Sequence, residues 1–294
     1  MDARWGAIDC RPEDGVYFAC RLLQKFYVID MRYAIMSDVH ANPQALEGAL
    51  ADARRLGCTR FLMLGDIVGY GYEPKRALEL VRDNFDVVLM GNHDSVCLGL
   101  ENEFDVQTNP NYRSDVAART ILDAADKEWI ETRRKVHVES GAAFVHGDFT
   151  SPFDWNYILQ GEAAVANFDC RKERLLFCGH THELAQWERQ PDGTVVRSMT
   201  FPKAVCHASA QAFVPARDAR YIVNVGSVGY PRYEFSTTYV IWDCDTNRIV
   251  YRMLPFDFKS YVEEMINHNQ KLPGWLMAVL NYTGAAPLDP CGTI

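Results

Sequence analysis

Apolar positions in the first two thirds of the chain gather into short continuous runs: "YAIMS" at 33 to 37, "RFLML" at 60 to 64, "DVVLM" at 86 to 90, "AAFVH" at 142 to 146 and "RLLFC" at 174 to 178. Runs of this length, apolar on both faces, suit strands covered on both sides. Between the first two lies "NPQALEGALADARRLG". There Asn42 caps a helix, Pro43 sits in its first turn, Leu46, Leu50 and Ala53 share one face, and Gly57 stops it. The pattern predicts a strand-helix-strand unit and an α/β fold. From about 194 strands follow one another directly, as "TVVRSMTF", "RYIVNV", "STTYVIWD" and "RIVYRML", with turn signals at Asp192-Gly193 and Asp245-Thr246-Asn247, so the sheet is expected to turn antiparallel.

Without repeats or low-complexity linkers, the simplest organisation is one domain over 31–270. Residues 1–30 lack the basic start and cleavage site of a signal peptide. They read either as a start-site extension ahead of Met31 or as an ordinary N-terminal appendage. A helical stretch, "FKSYVEEMINHNQ", precedes a tail at 271–294. The segment from about 100 to 140 is turn-rich and then helical. An excursion of that length between two strands is a lid or a piece of surface packing.

The 294 residues carry a formal net charge of -9, which argues against duplex nucleic acid or an anionic membrane as partner, and no apolar stretch is long enough for a membrane helix. Any phosphate ligand then needs a locally positive site. Nine cysteines, scattered without CxxC pairs, suggest free thiols and a cytoplasmic protein.

The strands end on potential ligands. The first ends on Asp38 and His40, the second on Gly65-Asp66, the third on Asn92 and His93, the fourth on His146 and the fifth on His180 and His182. Residues two apart, such as Asp38 and His40, project to one side of an extended chain. Open α/β sheets bind ligands at the carboxyl ends of their strands, so the five groups are expected to converge on one crevice. Two Asp, one Asn and up to five His, with no Cys, suit Mn, Fe or Zn rather than a thiolate site. They are too many for one tetrahedral ion. A pair of ions bridged by one carboxylate uses nearly all of them and stays positive, because four charges of metal outweigh two of aspartate.

The blocks Asp38-Val39-His40, Gly65-Asp66-Ile67-Val68-Gly69-Tyr70-Gly71, Gly91-Asn92-His93-Asp94, His146-Gly147 and Gly179-His180-Thr181-His182 resemble, in order, those of the calcineurin-like metallophosphoesterases. The later "NVGSVGYPR" (224 to 232) resembles a loop of their compact bacterial branch. The resemblance implies a four-layer αββα fold, two mixed β-sheets packed face to face and flanked by helices, with a site for two divalent ions at one edge. Carried over, Asp38, His40 and His182 hold one metal, Asn92, His146 and His180 hold the other, and Asp66 bridges them. His93 faces the substrate as acid or charge stabiliser, with Asp94 orienting its ring.

The resemblance further implies hydrolysis of a small phosphorylated substrate, ester or anhydride, by a metal-bound hydroxide attacking in line. Monoesterase, diesterase and dinucleoside polyphosphatase activities all fit, and a non-catalytic scaffold that binds proteins is the rival. The protein Ser/Thr phosphatase branch reads GDxVDRG and GNHE in the second and third blocks. Here Gly69-Tyr70-Gly71 and Asp94 depart from it, which disfavours a phosphoprotein substrate. Tyr70 and Tyr72 then either stack on a base or aryl group of the substrate or pack beneath the lid.

Overall fold

A computed structural model describes residues 31–199, 207–231 and 236–268. The expected extension at 1–30, the tail at 271–294, the end of "TVVRSMTF" and Arg232 lie outside the described residues.

The apolar runs form two six-stranded mixed sheets. In the first, β1 (Arg32–Met36), β2 (Arg60–Met63) and β3 (Val87–Val88) are parallel, and β11 (Ser236–Asp243), β12 (Arg248–Pro255) and β9 (Ser209–Phe213) continue antiparallel from β1. In the second, β4 (Val136–Glu139), β5 (Ala142–Val145), β6 (Leu175–Cys178), β10 (Arg220–Val225), β7 (Leu184–Arg189) and β8 (Val195–Arg197) lie side by side in that order. The late strands are therefore shared between the sheets. They pair antiparallel as expected, except that β10 runs parallel to β6. The run "DVVLM" contributes only two residues to the ladder. Leu89 bridges instead to Arg134, and the Met90 N–H donates to the Arg134 carbonyl at 2.9 Å.

Alternation along each strand builds the layers. Tyr33, Ile35, Leu62, Phe144, Phe177, Val223, Trp242 and Tyr251 face inward and form the core between the sheets, where Phe144 stacks on Phe177 at 5.2 Å. Ala34, Met36 and Met63 point outward and meet α1 (Pro43–Arg55) and α2 (Pro74–Asn84) through Leu46, Leu50, Leu78 and Val81. On the other side Val145, Leu176 and Ile222 meet Ala164 and Phe168 of a helix at Gly161–Cys170. Runs apolar on both faces thus produce a helix-sheet-sheet-helix stack.

Asn42 caps α1, accepting from the Ala45 N–H at 3.1 Å, and Gly57 follows the helix at φ 77°. Asp52 fastens α1 to the sheet. Arg252 grips both its oxygens at 2.9 and 3.0 Å, and the Tyr239 hydroxyl donates to it at 2.7 Å. Burial pushes this carboxyl up, but the hydrogen bonds from Arg252, Tyr239 and Arg55 outweigh it and hold Asp52 below the usual carboxylate range.

The excursion after β3 begins with α3 (Asn92–Leu98) and continues through α4 (Glu103–Thr108), α5 (Arg113–Ile121) and α6 (Ala124–Glu131), which makes the Gly161–Cys170 helix α7. It is docked over the strand ends of the first sheet. Arg119 donates to the Val96 and Cys97 carbonyls at the end of α3, and Ser114 Oγ accepts from the Tyr70 N–H at 2.7 Å.

Candidate metal centre

The loops that leave β1, β2, β5 and β6, together with the start of α3, meet at one edge of the sandwich. Asp38, His40, Asp66, Asn92, His146, His180 and His182 are all buried there. Their donor atoms fall into two groups, Asp38, His40, Asp66 and His182 in one and Asp66, His146 and His180 in the other, each within 4.8 Å. Asp66 belongs to both. Asn92 joins the second group, its Oδ1 lying 3.2 Å from His146 Nε2.

The local route differs from the extended-chain reasoning. Asp38, His40, Asp66, His180 and His182 all have φ between 50° and 67°, the left-handed region that non-glycine residues seldom occupy. The pairs two apart converge because the chain curls after each strand. Hydrogen bonds between the loops hold this strain, including His40 N–H to the Asp66 carbonyl at 3.0 Å and His180 N–H to Asp38 Oδ2 at 3.0 Å.

The donors are prepared for cations. The Val68, Tyr230 and Trp155 carbonyls can only accept, so they fix a proton on His40 Nδ1 (3.1 Å), His182 Nδ1 (2.6 Å) and His180 Nε2 (2.8 Å). The other nitrogen of each neutral ring then presents a lone pair to the cluster. His40 Nε2 and His182 Nε2 face each other at 3.0 Å, an arrangement that suits a shared cation. Burial pushes His40 down to about 4 and His180 down to about 3, so both rings stay neutral. Asp38 Oδ1 and Asp66 Oδ2 are buried with no hydrogen-bond donor. They lie 3.2 Å from His182 Nε2 and His146 Nε2, respectively. Buried carboxylate oxygens without donors, each beside an imidazole nitrogen, fit divalent metal ions.

His93 is buried and stands apart from both groups. Its Nδ1 lies 3.0 and 2.9 Å from the two oxygens of Asp115, a fully buried residue of α5. Burial alone would lower its pKa, but the Asp115 and Asp66 charges raise it to about 9. Asp94 does not orient this ring, contrary to the expectation above. The turn into α3 aims it backward, where it accepts from the N–H groups of Asp66, Ile67, Val68 and Gly91 at 2.8 to 3.3 Å and clamps two ligand loops together.

Gly69 makes room for the His93–Asp115 pair. A Cβ there would lie 2.6 Å from both Asp115 Oδ1 and His93 Nδ1. In the GDxVDRG pattern an aspartate occupies this point of the block. Here the carboxylate beside His93 comes instead from Asp115.

Tyr70 lines the site, its ring 4.6 Å from those of His40 and His93 and stacked on Tyr230 at 4.3 Å. Tyr72 does not. It stacks on His268 at 4.4 Å and packs against Tyr261. Tyr112, in the turn before α5, brings its ring within 5.4 Å of His93. Neither Tyr112 nor Tyr230 is near the ligands in sequence. Among the described residues no helix is long and apolar enough to cross a membrane.

Comparison with known proteins gives one answer. The calcineurin-like phosphoesterase superfamily domain matches residues 31–247. A metallophosphoesterase from Sphaerobacter thermophilus of known structure is 30% identical, with a TM-score of 0.68 over 85% of this chain and 98% of its own. A hypothetical protein from Pyrococcus horikoshii shares the fold at 15% identity, with a TM-score of 0.64 over 85% of this chain and 97% of its own. An uncharacterized protein of Methanocaldococcus jannaschii is 26% identical over 249 residues, 83% of this chain and 94% of its own. With the fold, the buried Asp and His cluster and a match over most of the chain in agreement, the protein belongs to the calcineurin-like phosphoesterase superfamily.

Proposed function

We propose that the protein is a phosphoesterase working with two divalent transition ions, and that it hydrolyses a small phosphate ester or anhydride. The observation that carries this reading is the pair of buried donor groups sharing Asp66, each with an orphaned carboxylate oxygen facing imidazole nitrogen. Asp38, His40 and His182 would hold one ion, Asn92, His146 and His180 the other, with Asp66 between them. Such ions supply Lewis-acid chemistry, polarising the phosphoryl group and lowering the pKa of attacking water. The all-nitrogen-and-oxygen donor set suits Mn, Fe or Zn.

The chain's own residues supply the rest. With Nδ1 occupied by Asp115, His93 has only Nε2 left to give a proton, and the Asp115 carboxylate against the ring favours its protonated form. It can neutralise charge on the phosphoryl oxygens or protonate the leaving oxygen. Asp94 keeps the Asp66 and Asn92 loops in register. Tyr70, and Tyr112 from the excursion, flank His93 and narrow the approach for water. The excursion thus acts as a lid that also contributes Asp115. The five cysteines described are all free, which supports a reducing, cytoplasmic setting.

The test is hydrolysis of mono-, di- and polyphosphate substrates by metal-stripped protein with Mn restored. Mn-dependent turnover on at least one class is expected. Full retention of folded protein and bound Mn with no turnover on any of them would favour a binding scaffold.

A further inference from the structure

Lys135 lies outside everything assigned above. It follows Arg134, the residue that bridges Leu89 and whose carbonyl accepts from the Met90 N–H, two positions before Asn92. Its side chain is half-buried. The ammonium contacts the Met90 sulfur at 3.1 Å and the ring faces of Trp155 at 3.9 Å and Phe153 at 5.4 Å. It forms no ion pair with a carboxylate among the described residues. A cation on an aromatic face gains some energy, but far less than it loses by leaving water without a counter-charge.

Its surroundings make that position costlier. Trp155 belongs to the loop after β5, and its carbonyl fixes His180 at 2.8 Å. Its indole N–H donates to Glu101 at 3.0 Å, and Ser95 donates to the same oxygen at 2.6 Å, so this loop and the excursion are tied together beside the Asn92 side of the centre. The acidic groups close enough to be felt by Lys135 are Glu101, Asp94 and Asp66, and burial outweighs them, lowering the ammonium to about 8. Glu101 is already engaged by two donors, Asp94 by four backbone N–H groups, and Asp66 would face metal. Two divalent ions outweigh Asp38 and Asp66, so the loaded centre repels a nearby cation. A half-buried ammonium without a carboxylate partner, beside a positive centre, gains stability when an anion arrives.

We propose that Lys135, framed by Trp155 and Phe153, is a subsite for the second phosphoryl group of a phosphoanhydride substrate, next to the Asn92, His146 and His180 side of the centre. The proposal rests on the phosphoesterase reading. A monoester brings one phosphoryl group, which the metal centre and His93 satisfy by themselves. A phosphoanhydride brings a second anionic group within a bond or two of the first, which is the chemistry an unpaired ammonium at this place recognises. Phe153 is 68% exposed and offers a ring face on which a planar group attached to that phosphate can lie.

The test is equilibrium binding to the Mn-loaded protein, measured by calorimetry with methylene diphosphonate and with methylphosphonate, neither of which can be hydrolysed. Lys135→Met and Lys135→Gln each remove the charge, and whichever retains its melting transition and Mn content is used. The expected result is about 10- to 100-fold weaker binding of the diphosphonate with methylphosphonate unchanged, the size of one charge-assisted hydrogen bond. Lys135→Arg should keep most of the affinity. Equal loss for both ligands, or loss for neither, overturns the subsite. Because the readout is binding, absence of turnover on every substrate would count against the phosphoesterase reading without deciding the role of Lys135.

Discussion

Replacing Asp115 with Asn separates orienting a proton donor from holding metal. Asp115 sits in α5, 22 positions after His93, and both its oxygens lie within hydrogen-bond distance of His93 Nδ1. Asn keeps the shape and one acceptor but removes the charge. A hydrogen bond to a charged partner contributes about 1.5 to 3 kcal/mol, and about 1.4 kcal/mol is tenfold in rate. The expected loss in kcat is therefore about 10- to 100-fold, below the roughly 10²- to 10⁴-fold typical of removing a general acid outright by His93→Ala. KM and metal content should change little, since no oxygen of Asp115 belongs to either donor group. The assay is steady-state hydrolysis of nitrophenyl phosphate at saturating Mn for wild type, both single variants and the double variant. In the His93→Ala background Asp115→Asn should cost almost nothing further, because the ring that the carboxylate orients is gone. Additive losses, or loss of Mn from Asp115→Asn, would refute the reasoning and give Asp115 a purely structural role.

Three other outcomes follow from the same contacts. Asp52→Asn should destabilise the protein at neutral pH by about 3 kcal/mol, since Arg252 is left buried without its counter-charge. Because the folded pKa of Asp52 is depressed, the stability it contributes is present above the ordinary carboxylate range and is lost as pH falls through the lowered value. The gap in urea midpoint between variant and wild type should accordingly close on acidification, and a gap independent of pH would contradict the ion pair. Tyr70→Ala should lower kcat/KM, because its ring packs on both His40 and His93, while Tyr72→Ala should leave it unchanged and show only as a lower Tm.

The residues that were legible in the sequence are those whose signal is local. An apolar run that stops on Asp, Asn or His can be read from a few neighbouring positions, and that sufficed for Asp38, His40, Asp66, Asn92, His146, His180 and His182. What brings them together was not readable, because strand pairing is non-local: nothing in "RYIVNV" says that it runs parallel to β6 while its neighbour β7 runs antiparallel. Strands β7 and β9 were passed over because "LAQWER" and "SAQAF" mix polar and apolar positions. The sequence also suggested a regular extended chain at Asp38 and His40, where tertiary hydrogen bonds impose left-handed curls. Nothing local marks Asp115, an acid in the first turn of a helix, or Lys135. Both acquire meaning only from residues far away in the chain. The contacts of Asp94 and the choice between the two readings of Tyr72 were not legible for a related reason: proximity in sequence to the site says nothing about which way a tight turn aims a side chain.

If Asp66 serves two metal ions at once, counting bound metal shows it most directly. Metal-stripped wild type and Asp66→Asn should be dialysed against Mn and their bound metal counted per chain by elemental analysis. Two ions are predicted in the wild type, with the Asp66 variant depleted of both because each donor group contains that residue. One tightly held ion in a fully active wild type, or an Asp66 variant that still holds two, would contradict the account.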